Sequence, residues 1–113
     1  MTRLRGIRVL DLTDESGAFA GRILADLGAE VVMIEPPEGL RTRHRLPGLG
    51  DAIAVAERSF AHQYFNANKR SVAIGDDDPD TLQAWAETAD VVLATPPFRL
   101  PHASARAANS NVV

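Results

Sequence analysis

A strand–helix–strand pattern at the start of the chain restricts the folds that it can adopt. The apolar residues 7–12 predict a strand, and apolar residues then recur at helical spacing over about 16–27. Gly28 follows at the place where helices commonly end in a left-handed glycine. Residues 30–35 predict a second strand with a continuous apolar run, which is typical of strands covered on both faces of a parallel sheet. We therefore predict an α/β fold.

The first helix carries an apolar stripe that we expect to face the core, because surface helices of globular proteins bury such a stripe. The opposite side of this helix carries Arg22 and Asp26. The stripe consists of Phe19, Ala20, Ile23, Leu24 and Leu27.

Two further strands and two further helices are predicted downstream. Weaker helical spacing covers 51–65, and short apolar runs predict strands at 71–74 and 91–94. Between these strands, Asp78 followed by Pro79 is a helix start signal, because an aspartate caps the first turn and proline suits its first position. The apolar positions of that helix are Leu82, Trp85, Ala86 and Ala89, and we expect Trp85 in the core.

The apolar pattern ends after Phe98, where small and polar residues take over. We predict one folded region over 1–98 and a flexible tail over 99–113. With 113 residues, the chain suits one small domain.

Charge and composition exclude several classes of function. Twelve Lys and Arg against fifteen Asp and Glu give a net charge of −3, which argues against a nucleic-acid or membrane-surface binder. The absence of cysteine excludes disulfides and a thiolate nucleophile. No apolar run approaches the roughly 20 residues that span a bilayer, and no signal peptide is recognisable. We expect a cytoplasmic protein.

Basic residues near predicted strand ends indicate an anion site. Residues 41–45 form a dense basic run that includes Arg43, and Lys69 with Arg70 forms a second basic pair. The guanidinium group of arginine can donate two parallel hydrogen bonds to phosphate oxygens. The helix that begins near Ser16 and Gly17 would present its N-terminus to the same ligand. The alternative is that both basic segments are solvated surface.

Other site chemistries have weaker support. Gly17 and Gly21 do not complete the glycine fingerprint of a dinucleotide fold, although Glu35 stands where such folds place a ribose-binding acid. A nicotinamide or flavin site is therefore disfavoured, and Gly21 is better explained by close packing of helix against strand. The three histidines lack metal-ligand spacing, so we expect no metal.

Five segments of the chain form a recognisable series. They are residues 4–13 (LRGIRVLDLT), 17–32 (GAFAGRILADLGAEVV), 34–37 (IEPP), 66–72 (NANKRSV) and 89–92 (ADVV). Together these segments resemble the N-terminal part of the family III CoA-transferases, a group that includes formyl-CoA transferase, carnitine CoA-transferase and α-methylacyl-CoA racemase. Their order and spacing match the family to about residue 94.

The resemblance implies a Rossmann-like domain that binds CoA or acyl-CoA and assembles into interlocked dimers. Carried onto this chain, it places the CoA near the first strand–helix turn, the basic loop and the Asn-x-Asn-Lys-Arg segment. The implied CoA-binding residues are Ser16, Gly17, Arg43, Asn68, Lys69 and Arg70.

Three local differences separate the chain from the family pattern. Ser16-Gly17-Ala18 replaces the usual Ala-Gly-Pro turn, and Gly39-Leu40 replaces the usual Gly-Asp. Residues 94–99 replace a segment whose Asn touches CoA. The nucleophilic catalytic Asp of the family lies beyond the length of this chain, so we assign no catalytic residue.

Three functional hypotheses follow. The leading one is the CoA-binding N-terminal part of a family III acyl-CoA transferase, inactive alone and completed by a second copy or a complementary C-terminal chain. The second is a non-catalytic interaction domain that kept the fold. Both predict uncovered apolar surface and association. The third, an oxidoreductase of the NAD type, lacks its glycine fingerprint.

Overall fold

The computed structural model describes residues 3–44 and 59–95. The four strands are Arg8–Leu12 (β1), Glu30–Glu35 (β2), Arg70–Ala73 (β3) and Val91–Ala94 (β4). The helices are Ala18–Asp26 (α1), Phe60–Phe65 (α2) and Pro79–Thr88 (α3), with a 3₁₀ helix at Arg41–His44.

The strands form a single parallel sheet in the order β3-β2-β1-β4. The chain moves outward from β1 to β3 and then crosses to the other side of β1 to form β4. In the register, Leu10 lies between Val32 and Val92, so the centre of the sheet is entirely apolar. The α/β class and the four-stranded parallel sheet with flanking helices are confirmed.

Alternate residues of the strands point to opposite faces of the sheet and belong to two separate apolar cores. Leu10, Val32 and Val92 pack with residues of α3, while Val9 and Val31 pack towards α1. The α1 side also receives two charged side chains near the carboxyl ends of the strands, Asp11 and Glu35, both buried. A sheet covered on both faces explains why its strands have continuous apolar sequences.

The predicted orientation of α1 is right for Leu24, which is partly buried against the core, and wrong for Phe19 and Ile23, which are 46% and 45% exposed. The buried residues of the helix are Ala18 and Gly21. The helix approaches the sheet through small residues because Asp11 and the side chain of Lys69 lie directly beneath Gly21. Phe19 lies on the outer surface and stacks on Tyr64 of α2 at 6.3 Å between ring centroids.

The other helices begin where side chains cap them. Asp78 accepts a 3.2 Å hydrogen bond from the Thr81 N–H, and Pro79 occupies the first turn of α3, as predicted. Trp85 is partly buried against the core on the α3 side. The predicted continuous helix over 51–65 is wrong at Ser59, because Ser59 has extended backbone and caps α2.

Two sequence predictions lie outside the described residues: the start of that helix over 51–58 and the flexible tail over 99–113. Within the described ranges, no helix has the length and hydropathy of a membrane span.

We expect Gly21→Ala to destabilise the protein by about 2 kcal/mol, because overpacking a core costs about 1–3 kcal/mol and exceeds the gain in helix propensity. An added Cβ would lie 2.5 Å from Asp11 Oδ2 and 3.0 Å from Lys69 Nζ. Urea unfolding measures the change. Ala20→Ser on the exposed face is the matched control, with an expected change within about 0.5 kcal/mol. Equal effects of the two substitutions would contradict this packing.

Candidate functional site

A small pocket opens at the carboxyl edge of the sheet, between the turn after β1 and the 3₁₀ helix. Its volume is about 130 Å³, below the roughly 300–1,000 Å³ of pockets that enclose a drug-sized ligand. It can therefore enclose only one portion of a larger molecule. Its lining residues are Asp14, Glu15, Ala18, Leu40, Arg41, Thr42 and Asn66.

The turn between β1 and α1 is shaped by its own side chains. Asp14 accepts hydrogen bonds from the Ser16 N–H at 2.9 Å and from the Ser16 hydroxyl. Both bonds lower the pKa of Asp14, and the bond from the hydroxyl has the larger effect. Gly17 caps α1, and a Cβ there would lie 2.8 Å from Thr13 and from Thr95. The predicted Ser16 and Gly17 thus stand between pocket residues Glu15 and Ala18, and packing alone requires the glycine.

Arg43 leaves the 3₁₀ helix and pairs with Glu35 at the end of β2. Its Nε and one terminal nitrogen donate to the two carboxylate oxygens at 2.6 and 2.7 Å. Burial alone would raise the pKa of Glu35, but hydrogen bonds from Arg43, Ser71 and the Leu40 N–H outweigh it and lower that pKa to about 2.

The Arg43–Glu35 pair links stability to pH. Because the folded-state pKa of Glu35 lies below its ordinary value of 4.5, the pair stabilises the fold above about pH 5. That contribution is lost as the pH falls from about 4.5 towards 2. Both carboxylate oxygens of Glu35 accept hydrogen bonds from within the protein. This is a further argument against a role of Glu35 in binding a ribose.

Lys69 lies behind the pocket and is fully buried. Its ammonium donates to Asp11 Oδ2 at 2.6 Å, to Asn66 Oδ1 at 2.7 Å and to the Ala18 carbonyl at 2.8 Å. The Lys69 and Asp11 side chains are 0% and 1% exposed. All three protons of the ammonium are therefore used inside the protein.

Asn68 and Arg70 direct their side chains to the opposite edge of the sheet. The Asn68 amide donates to Asp26 at 2.7 Å, and its backbone has a φ of 67°, a left-handed geometry that asparagine tolerates. The Arg70 guanidinium donates to Glu30 at 2.9 Å, at the amino end of β2. Ser16, Gly17 and Arg43 are thus neighbours of pocket-lining residues without lining the pocket themselves. The CoA contacts of all six predicted residues stay predictions.

Each predicted cation has an acidic partner that sequence reasoning missed. Lys69 pairs with Asp11, Arg43 with Glu35 and Arg70 with Glu30. The available signal was the charged Asp11 inside an otherwise apolar strand, because a buried charge needs a partner. Sequence reasoning also missed Arg41 as the arginine that lines the pocket and Asn66 as the amide in its wall.

A larger groove of about 460 Å³ runs along α3 but has a weaker case as a ligand site. Arg8, the basic residue in its lining, is engaged with Glu30 and with the Thr88 hydroxyl, both at 3.2 Å, and lies at the amino end of β1. Open α/β sheets bind ligands at the carboxyl ends of their strands. Among the described residues, no cluster of three or more acidic or histidine side chains could hold a metal ion.

Comparison with known proteins decides the family. The model of CoA-transferase family III matches residues 4–99. The chain belongs to this family, and the resemblance found in the sequence is confirmed. The succinyl-CoA:mesaconate CoA-transferase of Haloarcula marismortui is 36% identical over 97 residues, covering 82% of this chain and 24% of that protein. The formyl-CoA:oxalate CoA-transferase of Streptomyces coelicolor is 44% identical over 75 residues, covering 63% and 16%.

Solved structures of the family agree with the fold. A crystal structure of a CAIB/BAIF family protein from Brucella suis has a TM-score of 0.77 at 30% identity, covering 95% of this chain and 31% of that one. The crystal structure of a Mycobacterium tuberculosis protein has a TM-score of 0.74 at 32% identity, covering 98% of this chain and 32% of that one. The chain thus spans about a quarter to a third of the length of these relatives, with 24% of the Haloarcula protein and 31% and 32% of the two crystallised chains covered.

We expect Lys69→Met to cost about 3–5 kcal/mol of unfolding free energy, because it leaves the buried Asp11 carboxylate without its cation. The neighbouring Arg70→Met is the matched control. The Arg70 side chain is 74% exposed, and surface ion pairs contribute about 1 kcal/mol or less. Urea unfolding of both variants measures the difference. Similar losses at the two positions would contradict the burial of the Lys69–Asp11 pair.

Proposed function

We propose that this chain is the CoA-binding N-terminal part of a family III acyl-CoA transferase, an enzyme that moves CoA between an acyl-CoA and a carboxylic acid. The observation that carries the proposal is the pocket at the carboxyl edge of the sheet, in a chain that belongs to this family. The names of its relatives describe CoA transfer from succinyl-CoA and formyl-CoA. The chain on its own would be inactive, since we assign it no catalytic carboxylate.

The pocket favours a phosphate portion of CoA. Arg41 supplies a cation at the rim, and the backbone N–H groups at the start of α1 supply donors near Ala18. Asp14 and Glu15 also line the pocket, so a phosphate would lie closer to Arg41 than to these two carboxylates. Arg43 would act with Arg41 and share its guanidinium between Glu35 and the ligand. The remaining parts of CoA would lie outside this small pocket.

We expect calorimetric titration to show CoA binding, and Arg41→Gln to weaken it about tenfold, which equals about 1.4 kcal/mol. This loss is within the range for a hydrogen bond to a charged group. Arg5→Gln, an exposed arginine before β1, is the control and should leave the affinity unchanged. A parallel titration with 3′-dephospho-CoA shows whether the 3′-phosphate is the group bound. No heat with either ligand on folded protein would overturn the proposal.

An exposed apolar surface favours the second candidate, an assembly function, which is compatible with the first. The aromatic patch is defined by Phe19, Ile23, Phe60 and Tyr64, which are 45–57% exposed. It spans α1 and α2, where Phe19 and Tyr64 stack. Exposed apolar patches of this kind mark interaction surfaces. A second copy or a complementary chain carrying the rest of the family fold would cover it.

We expect sedimentation velocity at high protein concentration to show self-association. Tyr64→Ser should weaken that association because it removes a ring that is 57% exposed and lies at the outer side of α2. Thr81→Ala on the exposed face of α3 is the control away from the patch. A strictly monomeric profile of the unmodified chain would contradict association through its own copies and would leave a complementary chain as the partner.

A further inference from the structure

A buried chain of hydrogen bonds runs from β1 to the wall of the pocket. It starts at Asp11, passes through Lys69 and Asn66, and continues to His62 of α2, whose Nδ1 lies 3.3 Å from Asn66 Nδ2. Thr42 of the 3₁₀ helix completes it, with its hydroxyl oxygen 2.7 Å from the same Nδ1. Thr42 and Asn66 also line the pocket. The chain of bonds therefore joins the core to the ligand site.

The direction of these hydrogen bonds is fixed at one end. The Lys69 ammonium can only donate, so the Asn66 atom facing it must be the carbonyl oxygen. The NH₂ group of Asn66 must then face His62 Nδ1, and this nitrogen must accept. An accepting Nδ1 carries no proton. His62 is accordingly neutral with its proton on Nε2, and the single lone pair of Nδ1 is shared between the Asn66 NH₂ group at 3.3 Å and the Thr42 hydroxyl at 2.7 Å.

We propose that His62, only in its neutral form, holds the Asn66 amide in the wall of the pocket, so that protonation of His62 weakens CoA binding. This inference rests on the proposed function. A proton on Nδ1 would face the NH₂ group of Asn66, and Asn66 cannot rotate its amide without turning that NH₂ group towards the Lys69 ammonium. Thr42 alone could reverse its hydroxyl and accept. The chain of bonds would therefore break between His62 and Asn66, beside the pocket.

The surroundings of His62 favour the neutral form. Its side chain is buried, and burial is the main cause that lowers its pKa below 6.5. The charges of Arg43 from the 3₁₀ helix and of Lys69 from the turn before β3 lower it further, while Glu35 of β2 raises it. On α1, Arg22 contacts α2 at the Tyr64 carbonyl instead of at His62.

The same shift gives the sign of the pH effect. Because the folded-state pKa is lowered, the unfolded protein takes up a proton first as the pH falls through about 6.5. Stability and pocket order are thus complete above about pH 7 and decrease on acidification. A phosphate of CoA also titrates near pH 6, so affinity alone does not isolate the histidine.

The decisive comparison is the pH dependence of CoA affinity in the unmodified chain and in His62→Gln, which has no titrating ring. We expect the unmodified chain to lose at least about threefold more affinity than His62→Gln between pH 7.5 and 5.0, a difference of about 0.7 kcal/mol. Titration of CoA itself is common to both proteins and cancels. Equal pH slopes would overturn this inference and leave the proposed function standing. Absence of CoA binding at every pH would overturn both.

A second measurement needs no ligand and covers the case in which His62→Gln does not fold. Nitrogen-15 NMR of the unmodified chain at pH 7.5 should show an unprotonated Nδ1 in His62. Asn66→Asp should raise the titration midpoint of His62 above that of the unmodified chain, because a carboxylate in that place accepts a hydrogen bond from a protonated Nδ1. A protonated Nδ1 in the unmodified chain, or an unchanged midpoint in Asn66→Asp, would overturn the inference.

Discussion

The packing of α1 and of the turn before β3 against the sheet depends on one contact, the buried ion pair between Lys69 and Asp11. Lys69 precedes β3, Asp11 belongs to β1, and the same ammonium also binds the first turn of α1 and the Asn66 amide. A charge taken out of water needs full hydrogen bonding, and here all three donors are satisfied. The pair therefore fixes how α1 and the turn before β3 meet the sheet, and it sets the back wall of the pocket.

The orientation of α1 shows that apolar periodicity alone does not determine which face of a helix is buried. The apolar stripe with Phe19 and Ile23 has the spacing of a core-facing helix, yet Gly21 and Ala18 face the sheet. A large side chain at position 21 would meet Asp11 and Lys69. The choice of buried face is set by a partner 51 residues away from Ala18 along the chain, and this contact is outside the range of a local pattern. The strands and the Asp78 cap were predictable because their signals are local.

In the candidate site, too, the features with local sequence signals were predictable and those set by distant contacts were not. Its location at the first strand–helix turn and the basic segment was predictable from strand order and from helix polarity. The pairing of each cation was not, because Lys69 and Arg70 find their acids 58 and 40 residues away. Charge counting treats a basic residue as available for an anion, whereas the fold first uses these cations to satisfy its own buried or partly buried carboxylates. Among the described residues of the basic run 41–45, Arg41 is the arginine that lines the pocket.

The two edges of the sheet consequently have different roles. At the amino edge, Glu30 binds both Arg8 and Arg70, a surface network that contributes little to stability and offers no enclosed space. At the carboxyl edge, Glu35 holds Arg43 in the 3₁₀ helix that forms one side of the pocket, while Asn66, which is bound to Lys69, forms another part of its wall. A ligand that enters between them meets side chains already held in place, so little ordering is needed on binding. The polar side chains buried on the α1 face thus stabilise the fold and arrange the pocket at once.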